Sequence, residues 1–485
     1  MNSWHRAIAF LRRLYASAFR GLTGSVFVLV GANVFAQAIM VGFIPILTRL
    51  YGPSDFGVFT AYVALISILA VGVALRYDLA IPLASDEKEA INLATFAVFL
   101  AVTMSLAVGV GLLWGGHKIA PLLGLPEQDL WLIPVGLLLT GLQQIFVYWV
   151  SFKRNFGFLS ANRVLQALLQ GVLQVVLSSF AALGLMLGFA LGRGLGVGAL
   201  FQSIFLGRKV LRPAMWCQIA CRYKHFPLFN LPAAFLDTIG LQLVPLMFTK
   251  LFSVDHTGYY GLAARVVAFP SVLVGQAVAQ VFYPEASRQK DQQHVLASLV
   301  SSIATVLLRL GGPVFGWLYL CSPVAFVWIF GKEWQEAGVY ASYLSLWLFL
   351  NFVSSPLSSI PLVKGQQRNA LYFTAYEVAL RLMGVWIGGY LQDPRLAILG
   401  YSMAGFIISL VYLIWIFRLV GASFFYWASS NANWLLAFSL LVVGLLALRS
   451  KAGEWVFFIS STVGMVGMGL LGLVSWLKWR TQGYA

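Results

Sequence analysis

Residues 22–47 read LTGSVFVLVGANVFAQAIMVGFIPIL, an apolar run without a single charge. About twenty apolar residues in helical conformation cross the hydrocarbon core of a bilayer. The run is continuous and does not alternate with a period of two, which favours a helix over a barrel strand. It is also too long for the hydrophobic region of a cleaved signal peptide. We therefore predict that residues 22–48 form the first transmembrane helix.

Similar runs fill the rest of the chain. Of its 485 residues 60% are hydrophobic and 10% are charged, whereas about a quarter of the residues in a soluble domain are charged. The composition therefore excludes a soluble protein and predicts an all-α polytopic membrane protein with about fourteen transmembrane helices. The predicted spans are 22–48, 56–84, 89–115, 129–152, 161–186, 188–207, 227–251, 258–284, 295–321, 335–363, 369–391, 395–417, 431–448 and 454–477.

The net charge of +16 is distributed in short basic clusters between the apolar runs. This distribution is typical of topology signals, and it excludes the continuous basic patch of a nucleic-acid-binding protein. With the N-terminus inside, about twenty Lys and Arg residues fall on the inner side and about seven on the outer side. We expect both termini to be cytoplasmic.

An internal repeat divides the chain. The turn after the first run reads TRLYGPSDFGVF (48–59), and the turn after the seventh reads TKLFSVDHTGYY (249–260), 201 residues later. Each follows a proline in the preceding run, Pro45 or Pro245. Six spans lie between the copies, so both have the same orientation, which predicts two parallel six-helix lobes with a site between them. The predicted domains are an N-terminal lobe (1–207), a cytoplasmic linker (208–226), a C-terminal lobe (227–420) and two appended helices, the thirteenth and fourteenth (421–485).

Charged side chains inside the predicted spans cost ~2.5–3.5 kcal/mol each, so each of them needs a reason. The group contains more bases than acids, which suits an anionic ligand. Its members are Arg76, Arg193, Arg265, Arg309, Arg381, Asp78, Asp237 and Glu377.

The sequence spacing of these charged residues predicts different roles for them. Arg76 and Asp78 lie two residues apart, so on a regular helix they point about 200° apart and need separate partners. Glu377 and Arg381 have the i, i+4 order that favours an ion pair, so a self-neutralised pair and a coupling role both stay open. Arg265 either extends to the interface or reaches into a cavity.

Amide side chains recur at helical spacing in three of the spans. They either hold helices together or line a hydrated pathway, where they can bind sugar hydroxyls. The stripes are Asn33 with Gln37, Gln166 with Gln170 and Gln174, and Gln276 with Gln280. The candidate substrate-binding residues are Arg76, Asp78, Arg265, Arg381, Glu377, Asn33, Gln37, Gln166 and Gln170.

Motifs for enzymatic chemistry are missing from the sequence. No phosphate-binding glycine loop or metal-ligand cluster is present, and no loop is long enough to hold an active site. Cys217, Cys221 and His225 share helical spacing but have no fourth ligand nearby, which favours free thiols. We expect no catalytic residue, metal or cofactor, and transport driven by the substrate's own gradient or by an ion, with proton and sodium both open.

The segments LTRLYGPSDFG (47–57) and LRYDLAI (75–81) resemble the opening of bacterial polysaccharide flippases of the Wzx type. These flippases belong to the multidrug/oligosaccharidyl-lipid/polysaccharide exporter superfamily. The resemblance continues at FPL (226–228), GQAV (275–278), FYPEA (282–286), FGKEW (330–334), AG (337–338) and SPLS (355–358).

The resemblance implies two six-helix lobes with alternating access. It implies that undecaprenyl-diphosphate-linked oligosaccharide crosses from the cytoplasmic to the periplasmic leaflet of the cell inner membrane for surface polysaccharide biosynthesis, lipopolysaccharide or exopolysaccharide. Implied partners are membrane lipid, a polysaccharide polymerase and the chain-length machinery, and no nucleic acid. Two alternatives stay open: a multidrug/cation exporter, which needs an acidic cavity, and a membrane polymerase or ligase, which needs a long periplasmic loop.

Overall fold

A computed structural model describes residues 22–206, 215–449 and 453–482. Within these ranges every regular element is a helix. Thirteen helical segments there are long and apolar enough to cross a membrane, judged by length and composition. The predicted all-α polytopic membrane fold is therefore confirmed.

The described part of the chain holds eighteen α-helices. They are α1 (Leu22–Leu50), α2 (Pro53–Gly72), α3 (Glu87–Leu123), α4 (Leu132–Phe152), α5 (Phe156–Val176), α6 (Ala182–Gly194), α7 (Val197–Leu206), α8 (Met215–Arg222), α9 (Leu231–Leu251), α10 (Val254–Arg288), α11 (Gln293–Phe330), α12 (Gln335–Ser354), α13 (Ile360–Val363), α14 (Gln367–Tyr390), α15 (Pro394–Leu419), α16 (Phe424–Ser430), α17 (Ala432–Arg449) and α18 (Glu454–Gln482). Short 3-10 helices span Tyr77–Leu83, Glu127–Asp129, Ser178–Phe180, Lys332–Trp334 and Ser355–Ser359, and a π-helix spans Phe226–Asn230.

The predicted second span, residues 56–84, exists, but its C-terminal bound is wrong. Helix α2 ends at Gly72, and the backbone of Leu75 and Arg76 is left-handed, with φ of 48° and 65°. The 3-10 helix Tyr77–Leu83 follows. Apolar composition shows that a stretch can be buried, but it does not show where the backbone leaves the helical conformation. Arg76 and Asp78 therefore lie in a turn between membrane-spanning helices, and the prediction that places them on one regular helix fails.

The predicted boundaries of the fifth and sixth spans, 161–186 and 188–207, also need correction. Helix α5 ends at Val176, and the sixth span consists of α6 and α7, separated at Gly196 with its φ of 91°. Helix α5 has 21 residues but is not among the thirteen apolar spans, because one of its faces is polar.

Contacts between residues divide the chain into two compact units. One ends at Gly261, here called the N-terminal unit, and the C-terminal unit begins at Leu262. The division falls inside α10, so α9 and the first turns of α10 pack with the helices that precede them. The lobe bounds 1–207 and 227–420 stay a prediction.

The two copies of the repeated turn contact each other inside the N-terminal unit. A Cβ atom at Gly57 would lie 2.7 Å from the backbone carbonyl carbon of Val254, and one at Gly258 would lie 3.0 Å from that of Pro53. Val254 and Gly258 follow Pro53 and Gly57 by 201 residues each, so the contact is reciprocal. Glycine is needed at both positions because the backbones of α2 and α10 touch there.

The helices before the two turns share a local device. Thr48 Oγ1 donates a hydrogen bond to the carbonyl oxygen of Pro45 (3.2 Å), and Thr249 Oγ1 donates one to that of Pro245 (3.1 Å). Proline lacks a backbone N–H, and threonine side chains that bond to the preceding turn tend to bend a helix. The repeat found in the sequence is therefore matched by local structure.

In the C-terminal unit, α17 and α18 pack against α11. Arg309 of α11 is buried and donates to Asn431 Oδ1 from both Nε (3.2 Å) and Nη2 (2.9 Å). Asn431 Nδ2 and Trp427 Nε1 both donate to Thr305 Oγ1, at 3.3 and 2.8 Å. Arg309 thus anchors the start of α17, which is a structural role.

Candidate functional site

Helix α5 presents its polar face to the other helices of the N-terminal unit. Its exposed side is apolar and includes Phe158, Leu165 and Val172. The opposite side carries Asn162, Arg163, Gln166, Gln170 and Gln174, of which Asn162 and Gln174 are buried. An arrangement with polar groups inside and apolar groups outside is expected of a helix that faces lipid on one side and polar groups on the other.

Helices α1 and α5 pack together through a polar contact. Arg163 Nη1 donates to Asn33 Oδ1, and both side chains are partly buried. Gln37, one turn further along α1, is exposed. Of this predicted amide pair, Asn33 therefore joins two helices, while Gln37 keeps its amide accessible.

The remaining amides of α5 contact α4 and α6. The side-chain amides of Gln143 in α4 and Gln166 lie within hydrogen-bond distance of each other (3.0 Å). Gln170 packs closely on Gly192, whose Cβ atom would lie 2.8 Å from the Cβ atom of Gln170. Gln174 Nε2 donates to the carbonyl oxygen of Leu185 (3.0 Å). Most of this stripe therefore holds helices together.

The turn after α2 encloses an acid next to a base. Asp78 is only 2% exposed, and its carboxylate accepts hydrogen bonds from its own N–H and from that of Leu79. Burial raises the pKa of Asp78 to about 6, an effect that the positive charge of Arg76 partly offsets. The turn lies outside the thirteen apolar spans. Tyr148 of α4 is near enough to interact electrostatically with both charges.

Arg76 acts electrostatically on Asp78 but does not form an ion pair with it. Its Nε atom is buried and makes no hydrogen bond within the described residues, and none of the ion pairs found there includes it. Arg193, in the last turn of α6, also has a buried Nε atom without a hydrogen bond and is in none of these ion pairs. Its guanidinium carbon lies 4.6 Å from the centre of the Phe189 ring. Together with Arg163, the N-terminal unit has three partly buried arginines outside any ion pair of its described part.

In the C-terminal unit, Glu377 and Arg381 of α14 form the ion pair that their spacing predicts. Arg381 Nη1 donates to Glu377 Oε1 (2.9 Å), and Nη2 donates to Tyr401 Oη. The guanidinium carbon lies 3.7 Å from the ring centre of Trp347 and 4.2 Å from that of Tyr401. The Arg381 side chain is 4% exposed and the Glu377 side chain 26%. The cation is thus enclosed, and the carboxylate is the accessible member.

Arg265 lies on α10 in the C-terminal unit and is partly buried. Its place in a binding site stays a prediction, as does that of every other candidate. Sequence reasoning missed Arg163, although positions 163, 166 and 170 share one helix face. It also missed Trp347 and Tyr401, which come from other helices and leave no local signal beside Arg381.

Comparison with known proteins decides the family. A family model described as polysaccharide biosynthesis protein matches residues 46–339, more than half of the chain. The chain belongs to this family. The chain is 21% identical over 245 residues to the teichuronic acid biosynthesis protein TuaB of Bacillus subtilis (strain 168), matching 50% of this chain and 46% of TuaB.

It is also 23% identical over 346 residues to the succinoglycan biosynthesis transport protein ExoT of Rhizobium meliloti (strain 1021). That match covers 68% of this chain and 66% of ExoT. The chain thus spans about half of one relative and about two thirds of the other.

Among solved structures, the fold of this chain is similar to that of the lipid II flippase MurJ in its inward closed conformation. The TM-score is 0.71 at 13% identity, covering 94% of this chain and 98% of MurJ. A transporter of the multidrug/oligosaccharidyl-lipid/polysaccharide superfamily from Pyrococcus furiosus gives a TM-score of 0.56 at 13% identity, covering 83% and 97%. The predicted resemblance is therefore confirmed for family and fold.

Proposed function

We propose that this protein moves undecaprenyl-diphosphate-linked oligosaccharide units from the cytoplasmic to the periplasmic leaflet of the cell inner membrane, by alternating access. The products would serve surface polysaccharide biosynthesis. The observation that carries the proposal is a set of three partly buried arginines in the N-terminal unit that form no ion pair with any described residue: Arg76, Arg163 and Arg193. Membership of a polysaccharide biosynthesis family supports the glycan part of the substrate.

The chemistry of a diphosphate fits these arginines. A buried charge without a partner is costly, and a second charge of opposite sign with good hydrogen bonds offsets that cost. A diphosphate brings about two negative charges, and guanidinium groups bind phosphate oxygens with two parallel hydrogen bonds. The arginines would thus bind the head group, while the polyprenyl chain stays in lipid.

The other candidate residues receive supporting roles. The side-chain amide of Gln37 is exposed and would bind sugar hydroxyls. Glu377 has an accessible carboxylate beside the enclosed Arg381. Asp78 is the acid nearest to Arg76 in sequence and is suited to proton coupling, since its raised pKa of about 6 lies close to physiological pH. Whether a proton or sodium drives transport is decided by imposing each gradient in turn.

The test is reconstitution of the purified protein in liposomes with a fluorescent polyprenyl-diphosphate sugar. We expect wild-type protein to move the lipid between leaflets, and Arg76→Ala and Arg193→Ala to slow it at least about tenfold, the factor given by ~1.4 kcal/mol. The matched control is Arg395→Ala. Arg395 Nε already donates to Glu336 Oε2 (3.1 Å), so its charge is not available to a substrate.

Other outcomes would identify the alternatives. Wild-type protein that leaves the lipid in place and exports organic cations would be a multidrug exporter. Protein that lengthens or transfers the glycan would be a polymerase or ligase. In the host, deletion of the gene should abolish a surface polysaccharide and retain its lipid-linked units inside, unless a redundant flippase exists.

A further inference from the structure

Helix α8, part of the segment predicted to be a linker, is docked on the start of α3. Trp216 of α8 lies against two rings of α3, with ring centres 5.7 Å from Phe96 and 5.1 Å from Phe99. Ile219, on the same face of α8, is buried. Cys217 and Cys221 lie on the exposed face. Residues 215–226, the described part of the predicted linker, therefore contain an amphipathic helix that packs against α3.

A buried carboxylate fastens this helix. Glu89 accepts hydrogen bonds from Arg222 Nη1 (2.7 Å) and Tyr223 Oη (3.0 Å) at the end of α8. It also accepts from Ser85 N (2.8 Å) and Ser85 Oγ (2.6 Å) just before α3. The Glu89 side chain is only 9% exposed. Two of these hydrogen bonds join Glu89 to the end of α8, and the two from Ser85 hold the carboxylate in position. Because the charge is nearly buried, the attachment is more specific than an exposed ion pair.

The same helix touches the turn that holds Arg76 and Asp78. Tyr77, the residue between them, donates from Oη to the carbonyl oxygen of Ala220 in α8 (3.2 Å). Its ring also packs edge-on against Phe96, with centres 5.1 Å apart. The π-helix Phe226–Asn230, which follows α8, contacts the 3-10 helix of this turn as well. Position of α8 and position of the turn are therefore linked through Tyr77.

The conformation of the turn explains why it needs such support. Leu75 and Arg76 have consecutive positive φ angles of 48° and 65° without being glycine. Non-glycine residues rarely adopt this conformation, and they keep it only where the surroundings hold them there. The contacts of Tyr77 with Ala220 and Phe96 are such surroundings.

We propose that α8 is a positioning element for the Arg76–Asp78 turn, with Glu89 holding α8 on α3 and Tyr77 transmitting its position. This proposal rests on the proposed function, in which Arg76 binds the anionic head group. Glu89 and Tyr77 are then positioning residues: they touch no substrate, but they fix the arginine that does. Loss of either should weaken substrate binding more than it lowers the maximal rate.

Hydrogen exchange tests the positioning step without any transport assay. In the full-length protein, Glu89→Ala should speed amide exchange about tenfold in peptides from 215–225 and from 73–84, a factor equal to ~1.4 kcal/mol. Tyr77→Phe should speed it in 73–84 alone, because Glu89 still holds α8. The control is Glu87→Ala, whose partner Lys153 is a surface contact and whose side chain is 61% exposed.

Transport kinetics test the consequence. Glu89→Ala and Tyr77→Phe should raise the half-saturating concentration of the lipid-linked sugar about tenfold, with the maximal rate within about twofold of wild type. Glu89→Gln keeps the shape and the acceptor oxygen, so it should restore much of the affinity. If Glu89→Ala is too unstable to purify, Tyr77→Phe and Glu89→Gln carry both measurements.

Two results would overturn the proposal. One is exchange in 73–84 that stays at the wild-type rate after α8 is released; the other is an equal rise in half-saturating concentration in Glu87→Ala. Wild-type protein that moves no lipid-linked sugar would instead refute the proposed function. The exchange measurements would still decide whether α8 positions the turn.

Discussion

Substitution of Gly57 by alanine probes the contact between the two repeated turns. A Cβ atom there would meet the backbone carbonyl group of Val254, with the carbonyl carbon at 2.7 Å and the oxygen closer. A side chain could rotate away from such a clash, but a carbonyl group in the first turn of α10 cannot. The helices α2 and α10 must therefore separate. Gly258→Ala has the same effect from the other side, against the carbonyl group of Pro53.

The cost can be worked out from two opposing terms. Forcing an extra carbon into a packed contact costs about 1–3 kcal/mol, while alanine favours a helix over glycine by up to ~1 kcal/mol. The net loss of unfolding free energy is ~1–2 kcal/mol. Since ~1 kcal/mol shifts the melting temperature of a unit of this size by about 2–4 °C, each variant should melt roughly 2–8 °C below wild type.

Thermal unfolding of the purified protein in detergent, followed by tryptophan fluorescence, measures this shift. The matched control is Gly42→Ala in α1, where no atom lies within 4 Å of the new Cβ atom. That variant should be as stable as wild type or slightly more stable. The double variant of Gly57 and Gly258 should lose less than the sum of the single losses, because one separation of the helices accommodates both methyl groups.

Two results would refute this reasoning. If Gly57→Ala has the same melting temperature as Gly42→Ala, the backbones of α2 and α10 do not touch. If the two single losses add within ~0.3 kcal/mol, the two clashes are independent, and the reciprocal contact between the repeat copies does not exist.

Three further predictions concern the buried charges. Asn431→Leu removes the acceptor that Arg309 uses twice and should cost ~2–3 kcal/mol in thermal unfolding, and a loss below ~0.5 kcal/mol would contradict the anchoring role. Arg381→Lys keeps the charge but loses the planar stacking on Trp347, so the same assay should show a loss of ~1–2 kcal/mol and not the wild-type value. Asp78 has a folded pKa raised above its ordinary value of 3.8 to about 6, so the folded state binds the proton more tightly and stability should fall as pH rises from about 4 to 6. This decrease should reach up to ~3 kcal/mol of unfolding free energy between about pH 4 and 6, and Asp78→Asn should remove it. A stability difference between this variant and wild type that is constant with pH would show that Asp78 does not titrate there.

The thirteen long apolar segments were predictable because each is a continuous apolar run long enough for a bilayer, and such a run can satisfy its backbone there only as a helix. The break at Gly72 was not predictable in this way. Residues 73–84 contain two charges but are otherwise mostly apolar, so composition does not mark where the helix ends, and the positive φ angles of Leu75 and Arg76 belong to a turn that contacts from α8 hold in place. Hydropathy records burial, and it carries no information about such distant support.

The site was predictable only where partners are neighbours in sequence. Glu377 and Arg381 lie one turn apart, so their ion pair follows from the helix period alone. The rings that enclose Arg381 come from α12 and α15, and the acceptor for Arg309 comes from the turn before α17. Pairings of this kind depend on how helices cross, which a single sequence does not encode at any fixed spacing.

The arginines that looked alike in the sequence now fall into two groups that predict opposite phenotypes. Arg309 and Arg381 have fixed protein partners, so their buried charge is already stabilised, and substitution should reduce stability before it reduces transport. Arg76 and Arg193 are in no ion pair of the described chain. An anionic substrate would therefore stabilise their charges more than it would stabilise those of Arg309 and Arg381. Substitution of Arg193 should reduce transport and leave the melting temperature nearly unchanged, or raise it, because a partly buried charge outside any ion pair is removed. Substitution of Arg76 also removes the positive charge that acts on Asp78, so its effect on stability is not a test of substrate binding. A destabilised Arg193→Ala protein would argue against a substrate-binding arginine even if transport were lost.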